Sequence, residues 1–174
     1  SPSFGSAGGG GAYGGDGATS LNGALGGSPY GSTTYPAQLG SAGGNANSTS
    51  GGEGGGLAIF NVTGTTTIDG SIVANGENGE SLALDGGGGG SGGGINLTTG
   101  GLEGTGSVTA NGGTGNATSE DGGGGSGGRI AIVYTTGSTI NLTLQAFGGT
   151  GASSLRNAAG GTVYTKSGSE TNGT

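Results

Sequence analysis

The apolar residues of this chain come in short bursts of alternating pattern separated by glycine. Leu57-Ala58-Ile59, Ile95-Asn96-Leu97, Ile130-Ala131-Ile132 and Thr162-Val163-Tyr164 each have the period-two spacing of a short strand. Ile140-Asn141-Leu142-Thr143-Leu144 alternates in the same way, which predicts one buried and one solvated face. The same parity runs through Ile68, Gly70, Ile72 and Ala74, and through Gly104, Gly106, Val108 and Ala110. These bursts recur. Residues 70–76 (GSIVANG) match 106–112 (GSVTANG) at a spacing of 36, and 142–148 (LTLQAFG) follow after another 36. Ala74, Ala110 and Ala146 mark the register, and Asp85 and Asp121, also 36 apart, each open a glycine run.

One unit therefore reads glycine tract, strand, Thr/Gly turn, strand, Ala-Asn-Gly turn, polar loop. Three and a half such units are expected within a single domain over 57–174. Residues 1–56 hold all three prolines, Pro2, Pro29 and Pro36, and only four of the 26 Leu, Ile, Val and Phe residues. They predict an irregular cap or docking segment. Each unit has too few apolar side chains to fold alone, and stacking neighbours would join the stripes into one narrow core. The expected fold class is all-β: a glycine-rich β-solenoid or sandwich of short strands with packed polyglycine segments and ~36-residue repeats.

Composition sharpens this picture. Gly supplies 53 of 174 residues, and no window has a helix-forming composition. A run such as 86–94 is either a flexible linker or an extended left-handed helix of three residues per turn. Such a helix has no internal hydrogen bonds, so its amides must pair sideways with neighbours. The common phase of tracts and strands favours the ordered form. With no His or Cys, the usual zinc ligands, an imidazole base and disulfides are all excluded. Three basic residues (Arg129, Arg156, Lys166) against ten acidic ones exclude a nucleic-acid partner. No apolar run approaches the roughly 18 residues of a membrane span. Without an initiator Met or a signal-peptide core, Ser1 reads as either a processed N-terminus or the start of a fragment.

Residues 89–95 (GGSGGGI) and 124–132 (GGSGGRIAI), with the two Ala-Asn-Gly strings and 160–164 (GGTVY), resemble a family of glycine-rich repeat proteins. Its members are large secreted or surface proteins of bacteria and protists. The stretch from Ser28-Pro29-Tyr30-Gly31 to Leu39-Gly40 is similar to the linker ahead of such repeats. A looser analogy is to phage tail-tip adhesins built from packed polyglycine helices. The resemblance implies a β-helix-like solenoid in an extracellular fibre or adhesin, and it carries no catalytic residues.

Six asparagines satisfy the glycosylation acceptor pattern: Asn47, Asn61, Asn96, Asn116, Asn141 and Asn172. Strand parity predicts that Asn96 and Asn141 face solvent, Asn116 lies in a polar loop, and Asn61 is accessible only at a strand end or bulge. N-linked glycans are the one attached group expected, with no cofactor and no metal. Asp85 and Asp121, with Glu120 beside the second, could order calcium, but they lack the Gly-Gly-x-Gly-x-Asp period and read better as caps or turns. Arg129 is expected to pair with Asp121 or Asp85, and these charges are candidates for locking register. Thr65-Thr66-Thr67, Thr98-Thr99 and Thr135-Thr136 would form a flat threonine surface if they stacked. Tyr13, Tyr30 and Tyr35 are placed to stack on sugars or to cap a core end.

No enzyme is expected. The leading expectation is a structural subunit of a secreted, N-glycosylated extracellular fibre, whose partner is a second copy of itself, joined head to tail. The competing expectation is an adhesin at the cell surface. It would bind cell-surface or matrix glycans through the co-phased loops 75–85, 111–121 and 148–158.

Overall fold

Two parallel sheets share one apolar core, and glycine-rich extended segments continue both of them. The computed structural model describes residues 6–82, 84–116, 121–151 and 153–174. Its strands are β1 (Leu57–Thr67), β2 (Ser71–Val73), β3 (Ser81–Leu82), β4 (Asp85–Gly86), β5 (Gly94–Gly104), β6 (Ser107–Thr109), β7 (Arg129–Ile140), β8 (Thr143–Gln145) and β9 (Thr162–Ser167). One sheet runs β1-β5-β7-β9, the second runs β2-β6-β8, and β3 and β4 form a small antiparallel pair. The chain is all-β: among the described residues the only helical element is a 3-10 turn at Ser154–Arg156.

Parallel pairing sets equivalent residues side by side. Ser71 lies opposite Ser107, which lies opposite Thr143, and Ile72, Val108 and Leu144 follow in the next column. Ile95 stands beside Ile130, and Leu97 beside Ile132, all at most 2% exposed. The core is closed from the second sheet by Ile72, Val108 and Leu144, and by Ala74, Ala110 and Ala146. The three alanines that marked the register in sequence are thus buried together.

Several local expectations are corrected. The long strands have 11, 11 and 12 residues, because the threonines expected in turns continue the ladders instead. Thr suits a pleated surface, and register shifts between Val62 and Thr65 and between Leu102 and Gly104 absorb the intervening residues. The stretch 140–144 is not one strand. Ile140 ends β7 at 39% exposure, and only Leu142 and Leu144 pack on the core. In β1, Leu57 pairs with Gly94, so Ala58 and Phe60 stand in the inward columns of Ile95 and Leu97. Leu57, Ile59 and Asn61 occupy the opposite face.

The tracts are buried and hydrogen-bonded along their length. Gly87, Gly90 and Gly93 donate their N–H groups to the carbonyls of Glu80, Glu77 and Ala74. Gly86, Gly89 and Gly92 donate to Ser6, Gly123 and Ser126, while Gly88 and Ser91 donate to Gly44 and Ser41. Residues three apart face a common neighbour, except that Gly86 meets the N-terminal segment where Gly89 and Gly92 meet the second tract. The second tract repeats the scheme: Gly122, Gly125 and Gly128 donate to Asn116, Gly113 and Ala110; Gly123 and Ser126 to Gly8 and Gly11; Gly124 and Gly127 to Arg156 and Ala159. A turn of three residues with every amide paired outward accounts for these buried backbones without side chains.

The spacing explains the composition. A Cβ on Gly10 would overlap the carbonyl oxygen of Gly124, and one on Gly125 that of Gly90. The Ala-Asn-Gly strings are not turns. Ala74, Gly76 and Gly79 donate to Thr109, Asn111 and Thr114, and Ala110, Gly112 and Gly115 to Gln145, Phe147 and Thr150. Residues 6–56 supply further extended segments: Gly8 and Gly11 donate to Gly86 and Gly89, and Gly40 and Gly43 to Gly55 and Gly52.

Candidate functional site

β1 and β9 are the outermost strands of the four-stranded sheet. Among the described residues β1 pairs with β5 alone, and β9 pairs with the single strand β7 while Thr165 on its outer edge bonds Thr174. Along β1 the side chains of Leu57, Ile59, Phe60 and Val62 are 36–42% exposed. Phe60, Val62, Ile68, Ile72 and Leu97 line a groove there. At the other end a second groove is lined by Leu102, Ile132, Tyr134, Leu142, Leu144 and Thr165. Charge differs between the same ends. Glu53, Asp69, Glu77 and Glu80 lie exposed in and around β1 and β2 with no base, whereas Arg156 and Lys166 lie in and beside β9 together with the acids Asp16 and Glu170.

The six acceptor asparagines separate on structural grounds. Asn47, Asn61, Asn141 and Asn172 are exposed. Asn61 reaches solvent because β1 is an edge strand and its register places Asn61 off the core face. Asn116 is half-buried, and its Nδ2 donates to Gly79 O at 3.1 Å. Asn96 overturns the parity expectation at 2% exposed. It does lie on the face opposite Ile95 and Leu97, but the N-terminal segment covers that face, and Asn96 Nδ2 reaches Pro36 O at 3.5 Å.

The three register-locking candidates do not meet, and among the described residues no ion pair joins Arg129 to Asp85 or Asp121. Arg129, 6% exposed, donates Nε–H to Tyr30 O at 2.9 Å and Nη1–H to Thr162 Oγ1 at 3.2 Å. Its guanidinium lies 5.5 Å from the centre of the Tyr13 ring. The cation is held by a carbonyl, a hydroxyl and an aromatic face, because the Tyr30 carbonyl reaches it and the Asp85 carboxylate is engaged elsewhere. Asp85 accepts the Ser6 N–H on Oδ1 at 2.7 Å and the Ser48 N–H on Oδ2 at 3.1 Å. The Ser6 amide is the largest influence, and with the Ser48 contacts it outweighs burial and holds the Asp85 carboxyl below its ordinary value. Asp121 is half-buried and accepts Leu21 N–H through its backbone carbonyl. Glu120 lies outside the described residues.

The binding surfaces expected for an adhesin are largely occupied. Tyr13 is fully buried against Tyr30, with ring centres 4.9 Å apart, and burial pushes its phenol pKa up. The Tyr30 hydroxyl donates to Leu39 O at 2.6 Å, which leaves Tyr35, 56% exposed, as the free ring of the three. Much of the expected loops 75–85, 111–121 and 148–158 is extended and laterally bonded; residues 83, 117–120 and 152 within them lie outside the described residues. The threonine runs are not aligned in register: Thr65 faces Gly101, Thr66 faces Leu102, and Thr98 faces Val133. One contact joins two of the runs, Thr66 Oγ1 to Thr99 Oγ1 at 2.9 Å. Among the described residues no group of three or more acidic side chains could hold a metal.

Two groups of residues escaped the sequence reading. Ser91 Oγ accepts the Ser41 N–H at 2.8 Å, and Ser126 Oγ accepts the Tyr13 N–H at 3.0 Å. Asn75, Asn78 and Asn111 each accept the N–H of the residue 36 positions on, at 2.7–2.8 Å. Their signals were the serine interrupting each glycine tract and, for Asn75 and Asn111, the repeated Ala-Asn-Gly string; Asn78 lies in Glu77-Asn78-Gly79, outside it. No protein-family model, curated protein or solved structure matches the chain. Among the described residues, no helix is long and apolar enough to cross a membrane.

Proposed function

We propose that the protein is a structural, non-catalytic subunit of an extracellular fibre that grows end to end. The observation that carries this reading is that β1 and β9, at opposite sides of one parallel sheet, each pair with a single strand of that sheet. An unpaired edge is a template for another chain. Two edges of the same polarity on opposite sides generate an open, head-to-tail filament rather than a closed dimer. In this reading residues 57–174 are three and a half repeats of a glycine-rich β-solenoid of ~36-residue period. The glycine tracts are its packed polyglycine helices, and residues 1–56 are the segment docked against them. Residues paired 36 apart and hydrogen bonds recurring at every third glycine support it.

The exposed asparagines Asn47, Asn61, Asn141 and Asn172 are the proposed carriers of N-linked glycans. The buried and hydrogen-bonded tyrosines favour the fibre over a glycan-binding adhesin. Sedimentation velocity over a range of concentrations, with electron microscopy of the same samples, tests the reading. Growing species and filaments are expected, and a single monomer boundary at every concentration would overturn it.

A further inference from the structure

The free edge of β9 carries a removable cover. Thr165 N–H donates to Thr174 O at 2.8 Å, Thr174 N–H donates back to Thr165 O at 2.8 Å, and their Oγ1 atoms are 3.0 Å apart. Both backbone groups of Thr165 therefore point away from β7, where a further strand would pair. Residues 168–174 return to that edge through a turn in which Ser167 N–H donates to Glu170 Oε2 at 2.9 Å. Among the described residues, Thr174 supplies both backbone bonds to this edge.

The sheet itself specifies what fits beneath it. Thr162 follows Arg129, Gly94 and Leu57 in one column, and each strand step preserves the parallel direction. A second β1 laid on β9 in this register sets Thr162 opposite Leu57 and Ser167 opposite Val62. The column Ala58-Ile95-Ile130-Val163 would then continue into Ala58 of the next copy, and Phe60-Leu97-Ile132-Thr165 into its Phe60. Charge agrees once the cover leaves. Arg156 and Lys166 lie in the last layer with Asp16 nearby, Glu170 departs with the cover, and Glu53, Asp69, Glu77 and Glu80 lie in the first layer, which has no base. The third base, Arg129, is buried. Resting on the fibre reading above, we infer that β9 receives β1 of a second copy, with Val163 beside Ala58, once residues 168–174 move off the edge.

The chain has no cysteine, so paired cysteines report this contact directly. Neighbouring strands lie about 4.8 Å apart, within the Cα separation a disulfide spans. The double variant Val163→Cys/Ala58→Cys is expected to give a reducible ladder of covalent multimers on oxidation. The misregistered Val163→Cys/Asn61→Cys is expected to give none. Thr165→Pro removes an outward N–H that β7 does not use, so the monomer should keep its circular dichroism spectrum and lose assembly. Filaments without the in-register ladder would overturn this contact and leave the fibre reading standing. Neither filaments nor ladder, from protein with the native spectrum, would overturn both.

Discussion

Asn75 and Asn111 stand 36 residues apart, and the Oδ1 of Asn75 accepts the backbone N–H of Asn111 at 2.8 Å. Asn111 repeats the gesture toward Phe147 N–H, also at 2.8 Å. An amide in an extended segment has no partner within that segment, and here a side chain 36 residues earlier supplies it. Phe147 occupies the next position and has no acceptor to offer, so the ladder ends there.

Asn111→Ala should cost about 1 kcal/mol, the net worth of one hydrogen bond. Asn111→Asp keeps the acceptor and should cost less. Thermal unfolding of the pair checks this, and equal losses would show that the oxygen does not matter.

The tract serines offer a stricter comparison. Ser126 is fully buried, and its Oγ satisfies the Tyr13 amide. Ser126→Ala should lose about 1–3 kcal/mol, because a buried N–H is left unpaired. Gly125→Ala in the same tract should be worse, since its Cβ would overlap Gly90 O. Chemical denaturation of the two variants should rank them in that order.

Much of this was legible in sequence, for reasons that can be named. Ala74, Ala110 and Ala146 predicted the register because small apolar residues at a fixed interval mark a shared packing position. The face of Asn96 was legible from its neighbours Ile95 and Leu97, but its cover was not. Burial there depends on Pro36, 60 residues away, and alternation within a strand carries no information about what lies over its far face. The register of β1 failed for a related reason. Leu57 and Ile59 are as apolar as Ala58 and Phe60, so only pairing with Gly94 decides which set faces inward.

Acid should loosen the N-terminal segment first. Asp85 prefers its charged form when folded, so its stabilisation is complete above the unfolded value of about 3.9 and is lost as pH falls through its lower folded value. Protection from hydrogen exchange at Ser6 and Ser48, relative to the intrinsic rate at each pH, should fall across that range in the native protein. In Asp85→Ala, which removes both acceptors, it should be low already at neutral pH and show little further change there.

Burial also sorts the glycan positions. Secreted from N-glycosylating cells and mapped by mass spectrometry, the folded protein should be unmodified at Asn96 and carry glycans among Asn47, Asn61, Asn141 and Asn172. A glycan on Asn96 would contradict the placement of Pro36 over it.

The direction of the strands within a filament tests the central claim most directly. Stacking of β1 on β9 runs the sheet's hydrogen bonds along the fibre, so diffraction from aligned filaments should show the strand repeat of about 4.7–4.8 Å on the meridian. Filaments whose strands run along the axis, or protein that stays monomeric at the concentrations needed for alignment, would contradict it.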